Sequence, residues 1–109
     1  MSERNIFAMF KPKAGKVQRL RELINNQAKD VHEKEDYCNR FVVTEQLDST
    51  PTFIIFETYK DLESVHQHAK EPHFQALMKA LDEEDLLMEK PFIAYTKSTG
   101  GFEMDRKLL

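Results

Sequence analysis

The sequence predicts an α+β fold, a four-stranded antiparallel sheet with helices on one face. Three observations predict it. Four apolar runs rich in β-branched and aromatic residues read as strands. Two other segments carry apolar residues at helical spacing. The elements alternate as β-α-β-β-α-β, and the link between the second and third strands is short enough to force a hairpin. That order is the ferredoxin-like split βαβ plan.

Taken in order, Asn5–Lys11 is the first strand, and Pro12 stops it. Pro12-Lys13-Ala14-Gly15 is turn chemistry. From Lys16, Val17, Leu20, Leu23, Ile24, Ala28 and Val31 form one stripe of a long amphipathic helix. Lys16, Arg19, Arg21, Glu22 and Lys29 belong to its solvated face. The charged run His32–Asp36 closes this helix, and Tyr37–Leu47 follows as the second strand. In that strand alternation sets Phe41, Val43 and Glu45 on one side and Cys38, Arg40, Val42 and Thr44 on the other. Asp48–Pro51 is a turn.

The central stretch, Phe53–Leu81, is strand, short helix, kink and helix. Phe53-Ile54-Ile55-Phe56 has the content of a buried strand, and Asp61 is placed to cap the helix that follows. Pro72 breaks that helix, and Phe74, Leu77, Met78 and Leu81 continue at helical spacing beyond it. An acidic break at Asp82–Asp85 and Pro91 lead to the last strand, Phe92–Lys97. Residues 1–97 thus form one domain, and residues 98–109 form a C-terminal tail, either an arm or disordered.

Composition excludes several classes. With 16 basic and 19 acidic residues the net charge is −3, and no basic patch recommends nucleic acid or an anionic membrane as a partner. No apolar run reaches the ~20 residues of a membrane span, and the N-terminus does not read as a signal peptide. A lone Cys38 makes no internal disulfide. These features point to a cytoplasmic protein. The first and third strands are apolar on both sides: Phe7 and Met9 alternate with Ile6, Ala8 and Phe10, and Ile54 and Phe56 with Phe53 and Ile55. Helices cover one face only, so the other calls for a partner, most economically a second copy in a twofold homodimer.

The residues able to carry chemistry cluster in the central stretch. His68 is a general base if it faces the space between sheet and helices; otherwise it is a hydrogen-bonded histidine fixing the kink. His73, beside Pro72, reads as a helix N-terminal residue. His66 and His68, two apart on a helix, point away from each other, and no metal-ligand set is evident. Glu57 and Tyr59 share a strand face, and a carboxylate there needs a donor. Glu57 either orients His68 or Tyr59, or pairs with Arg40 or a backbone amide across the dimer. Asn39 and Arg40 point to opposite faces of the second strand; Asn39 either holds a substrate oxygen or bonds a neighbouring strand end. Cys38 reads as an inert buried thiol. Met9, Met78 and Met88 read as core or cavity lining. No glycine-rich phosphate loop is present.

The run Phe56-Glu57-Thr58-Tyr59-Lys60-Asp61, followed by Val65, His68 and Pro72-His73-Phe74, resembles the antibiotic biosynthesis monooxygenase family. The helix entry Lys11–Lys16 and the pair Arg40-Phe41 resemble it too, so the likeness covers roughly residues 5 to 97. The resemblance implies a dimeric α/β barrel. It also implies cofactor-independent monooxygenation of a small aromatic, quinol or polyketide-type substrate by dioxygen. On that reading His68, Asn39 and Tyr59 are catalytic, and Glu57, Arg40, His73, Phe74 and Met78 bind the substrate. Haem-degrading relatives have Trp where this chain has His68 and His where it has Met78; with no Trp at all, the chain departs from that branch. It also has Tyr37 where a Gly usually opens the second strand, and Asn39 where a Leu is usual. Two other readings fit: a proton-transfer isomerase of the phospho-autoinducer-2 type, and a non-catalytic dimeric ligand-binding or stress protein.

Overall fold

A computed structural model describes residues 2–47 and 51–108. The strands are β1 (Arg4–Phe10), β2 (Cys38–Glu45), β3 (Phe53–Tyr59) and β4 (Phe92–Thr96). The helices are α1 (Val17–Lys34), α2 (Leu62–Lys70) and α3 (Pro72–Glu83). All strand pairs are antiparallel, in the order β2-β3-β1-β4. The α+β ferredoxin-like plan read from the sequence is therefore the fold, with an open four-stranded sheet. The β2–β3 hairpin forms as expected, although residues 48–50 of its turn lie outside the described residues. No described helix is long and apolar enough to cross a membrane.

Strand alternation divides the sheet into two surfaces. On the helix side, Ala8 and Phe10 of β1 and Phe53 and Ile55 of β3 pack against Leu20 and Ile24 of α1 and Leu77 and Leu81 of α3. A smaller cluster of Ile6, Tyr59 and Val65 anchors α2. On the opposite side Phe7 faces Phe56 across the β1–β3 ladder, and the rings meet edge to face at 5.2 Å. Val42 and Phe92 on that side are exposed by 37% and 60%.

Local signals account for the helix boundaries. Asp61 caps α2, its carboxylate accepting from the Ser64 backbone N–H at 2.8 Å and from Ser64 Oγ at 2.7 Å. Pro72 occupies the first turn of α3, where its missing N–H leaves no hydrogen bond unmade. That helix therefore begins before Phe74, and His73 lies inside it.

Two expectations are corrected, the face of Cys38 and the place of Met88. The register of β2 shifts between Cys38 and Arg40, leaving Asn39 without a partner on β3. This bulge sets Cys38 opposite Tyr59 on the helix side, against the simple alternation that grouped it with Arg40. Met88 is 61% exposed and neither core nor cavity lining. The tail has local structure: Ser98 Oγ accepts from Asn5 Nδ2 at 3.1 Å, and Phe102 bridges to Leu108.

Leu20 is wholly buried between α1, α3 and the sheet. Leu20→Ala is expected to cost about 2–5 kcal/mol of unfolding free energy in urea titrations. Met104→Ala, at a position 92% exposed, is expected to change stability by no more than about 0.5 kcal/mol.

Candidate active site

Between the sheet and the three helices lies a cavity of about 70 Å³. Its walls are mainly apolar: Phe10, Phe41 and Ile55 from the sheet side, Phe74, Leu77 and Met78 from α3. Three buried polar side chains reach it, Gln27 from α1, Glu57 from β3 and His68 from α2. Its outer wall, at Val65, Ala69 and Tyr95, is shared with a wider cleft of about 510 Å³. That cleft is rimmed by Arg4, His66 and Lys97.

His68 is held by a residue the sequence reading passed over. Glu35, at the C-terminal cap of α1, is only 1% exposed. His68 Nδ1 lies 2.7 Å from Glu35 Oε1, and His73 Nε2 lies 2.5 Å from Glu35 Oε2. Burial works to raise the Glu35 carboxyl, but the hydrogen bonds from His68 and then His73 outweigh it and hold its pKa below the ordinary carboxylate value. An ionised carboxylate only accepts, so both imidazoles donate to it. With Nδ1–H committed to Glu35, the neutral His68 ring carries its lone pair on Nε2. Nε2 lies 3.8 Å from Glu57 Oε1, on the cavity side. The His68 ring is packed between Tyr59 at 5.0 Å and Phe74 at 4.9 Å, which fixes its plane.

Glu57 is pushed the other way. Its burial on β3 raises its pKa, and the hydrogen bond from Tyr59 only partly offsets this. The Tyr59 hydroxyl donates to Glu57 Oε1 at 2.7 Å. Tyr59 is itself fully buried, and desolvation, reinforced by the Glu57 charge, keeps its hydroxyl protonated. Two carboxyl groups near one imidazole thus have opposite tendencies, one toward the anion and one toward the acid.

The expected site residues separate into three groups. His68, Glu57, Phe74 and Met78 line the cavity together. Tyr59 and His73 are not part of its lining: Tyr59 donates to Glu57, and His73 bonds Glu35, which in turn holds His68. Asn39 and Arg40 lie elsewhere. Asn39, exposed at the bulge, donates to Glu3 Oε2 at 2.9 Å. Arg40 pairs with Thr58 and borders a depression with Phe7, Phe56 and Phe102, which belongs to the open sheet face. Within the chain, among the described residues, Glu57 is met by Tyr59 and not by Arg40. Cys38 is half-buried, and burial pushes its thiol up to about 11, consistent with an unreactive thiol.

Sequence reasoning missed Glu35 and Gln27. Both fall on the buried stripe of α1, which runs Leu20, Ile24, Gln27, Val31 and on to Glu35. A polar residue on an apolar stripe was the available signal. Gln27 Nε2 is buried and has no hydrogen-bond partner, a state that costs about 1–3 kcal/mol. Among the described residues no group of three His, Cys, Asp or Glu side chains is arranged to hold a metal ion.

The opposed carboxyl groups predict opposite pH signatures. Glu35, lowered in the fold, contributes stability above its unfolded pKa of about 4.3, and that contribution is lost as pH falls through the folded value. Glu57, raised in the fold, imposes a penalty that is absent below about pH 4.3 and grows as pH rises through its folded value. Urea unfolding at a series of pH values is expected to show Glu57→Gln more stable than wild type at neutral pH, with the gain vanishing in acid. Glu35→Gln is expected to be less stable at neutral pH, with its deficit shrinking in acid.

Comparison with known proteins agrees with this architecture. The sequence profile of the family described as "Antibiotic biosynthesis monooxygenase" matches residues 5–80. No protein with a curated description matches the chain significantly. Among solved structures, a conserved protein from Methanosarcina mazei Go1 superposes with a TM-score of 0.81 at 24% identity, covering 91% of this chain and 95% of that one. A Caulobacter crescentus protein named a "putative antibiotic biosynthesis monooxygenase" gives a TM-score of 0.83 at 17% identity, with coverages of 90% and 91%. Rv0793 from Mycobacterium tuberculosis gives 0.82 at 21%, with coverages of 90% and 96%. At these identities the structures attest the fold, and the family profile, spanning well over half the sequence, attests the descent: the chain belongs to the antibiotic biosynthesis monooxygenase family.

Proposed function

We propose that this protein is a cofactor-independent monooxygenase of small aromatic or quinol-type substrates, with His68 as general base. The observation that carries this reading is the buried Glu35–His68 pair, which commits Nδ1 and leaves Nε2 toward an apolar cavity. Nε2 takes the proton of an acidic C–H or O–H group. The resulting carbanion or phenolate is the reductant for dioxygen. For a doubly benzylic methylene the overall change is R₂CH₂ + O₂ → R₂C=O + H₂O. Both C–H bonds and the O–O bond break, one oxygen ends in the carbonyl and the other in water, and the substrate supplies all four electrons.

Glu57, which burial inclines toward its acid form, is suited to return a proton to the departing oxygen, with Tyr59 orienting it. His73 positions Glu35. Phe74 and Met78 keep the chamber apolar, so that the carbanion is quenched by dioxygen rather than by water. Asn39 and Arg40, remote from this cavity, have no part in the proposed mechanism.

A second reading draws on the outer cleft. Its charged rim residues are Arg4 and Lys97, with His66 on the same rim. Such a rim suits an anionic substrate and a proton-transfer isomerisation using the same base. The proposal also includes a homodimer through the open sheet face, where Phe7, Phe56, Val42 and Phe92 offer apolar surface that a twofold copy would match.

Oxygen uptake with a panel of anthrones and hydroquinones tests the reaction. His68→Ala is expected to lower turnover by ~10²–10⁴, with His68→Gln similarly impaired. Unchanged uptake in both variants would remove His68 from the mechanism. An absence of uptake by wild type, accompanied by solvent-deuterium exchange into an anionic ketone, would favour the isomerase. Light scattering at micromolar protein is expected to give twice the chain mass, and a monomer would sink the barrel assembly.

A further inference from the structure

The cavity contains a donor that the proposed reaction has not used. Gln27 is 5% exposed and sits between Ile24 and Val31 on the buried stripe of α1, where a Leu or Met would pack without an unmet polar group. Its Nε2 has no hydrogen-bond partner, and the residue lines the same cavity as His68 and Glu57. The Tyr37 hydroxyl is also buried, but it lies beside the Glu35 carboxylate and Tyr37 does not line the cavity. Only at Gln27, among the described residues, does an unpaired buried side-chain donor coincide with the candidate site. Stability given up at a position facing a ligand chamber is the mark of a group kept for that ligand.

We infer that Gln27 binds the oxygen atom onto which the substrate's negative charge moves. This inference rests on the reading of His68 as base and narrows the substrate to one class. The substrate carries a hydrogen-bond-accepting oxygen, a carbonyl or its equivalent, conjugated with the carbon or hydroxyl that His68 deprotonates. As the proton leaves for Nε2, charge delocalises to that oxygen, and the Gln27 N–H bond to it strengthens as charge develops. A hydrocarbon, or a phenol with no second oxygen in conjugation, gains nothing from this donor.

The test uses two probes of equal length, 4-hydroxyacetophenone and 4-ethylphenol, which differ in the conjugated carbonyl oxygen. Titration calorimetry on wild type is expected to show ~10-fold or greater preference for the ketone. Gln27→Met, nearly isosteric, is expected to lose that preference while still binding 4-ethylphenol, and to melt at the same or a higher temperature because the unpaired donor is gone. Gln27→Leu is the second variant should Met pack poorly. His68→Ala is expected to retain the preference while losing oxygen uptake. Wild type that binds the probes equally, or binds neither, overturns the inference, as does a folded Gln27→Met that keeps the preference. Ketone preference without oxygen uptake on any substrate would leave Gln27 assigned and discard the monooxygenase reading. Uptake that persists undiminished in Gln27→Met would discard Gln27 and keep that reading.

Discussion

A carboxylate buried at the end of the first helix sets the arrangement of everything around it. Glu35 is almost fully removed from solvent, and an unpaired charge there would cost several kcal/mol. It is satisfied by two imidazoles, one from the last turn of α2 and one from the first turn of α3. On an unbroken helix, side chains five positions apart diverge by about 140° and could not converge on one carboxylate. The break at Glu71 and Pro72 reorients the second helix so that His68 and His73 do converge. A proline that looks like mere punctuation is thus what allows one carboxylate to fasten three helix ends together.

The same interaction gives the imidazole a direction. A histidine has two nitrogens, and the one that can accept a proton is whichever the surroundings leave uncommitted. Glu35 commits Nδ1, and the rings of Tyr59 and Phe74 hold the plane. The bond that closes the helix layer thus also settles which imidazole nitrogen is left uncommitted. Tyr59 serves the opposite carboxyl, donating to Glu57 from within the core. The environment drives Glu35 toward the anion and Glu57 toward the acid, so two identical side chains have different protonation tendencies on either side of one ring.

Strand alternation determines which residues can join this set. Glu57, Ile55 and Phe53 turn toward the helices, whereas Phe56 and Ile54 turn away. The bulge at Asn39 acts on the second strand in a similar way, sending Cys38 inward and leaving Asn39 at the surface against Glu3. A single extra residue therefore decides that the side chain packed beside Tyr59 is a half-buried thiol and not an amide.

The sequence by itself determined the order of elements, the hairpin, the helix cap at Asp61 and the covered and open faces of the sheet, because each depends on patterns a few residues long. It also marked His68 and Glu57 from their residue types and positions, and the family resemblance marked Phe74 and Met78, all four of which line the cavity. Glu35 was lost within His32–Asp36, where neighbouring charges resemble a solvated helix end, and Gln27 was lost among the apolar residues of its own stripe. Only the tertiary structure decided what surrounds these two side chains. Glu35 meets His68 across 33 positions of chain, and no periodicity within one element reports a contact at that separation. The burial of Gln27 likewise depends on a sheet and a third helix that close over it, and a donor can be recognised as unpaired only when all its neighbours are in place.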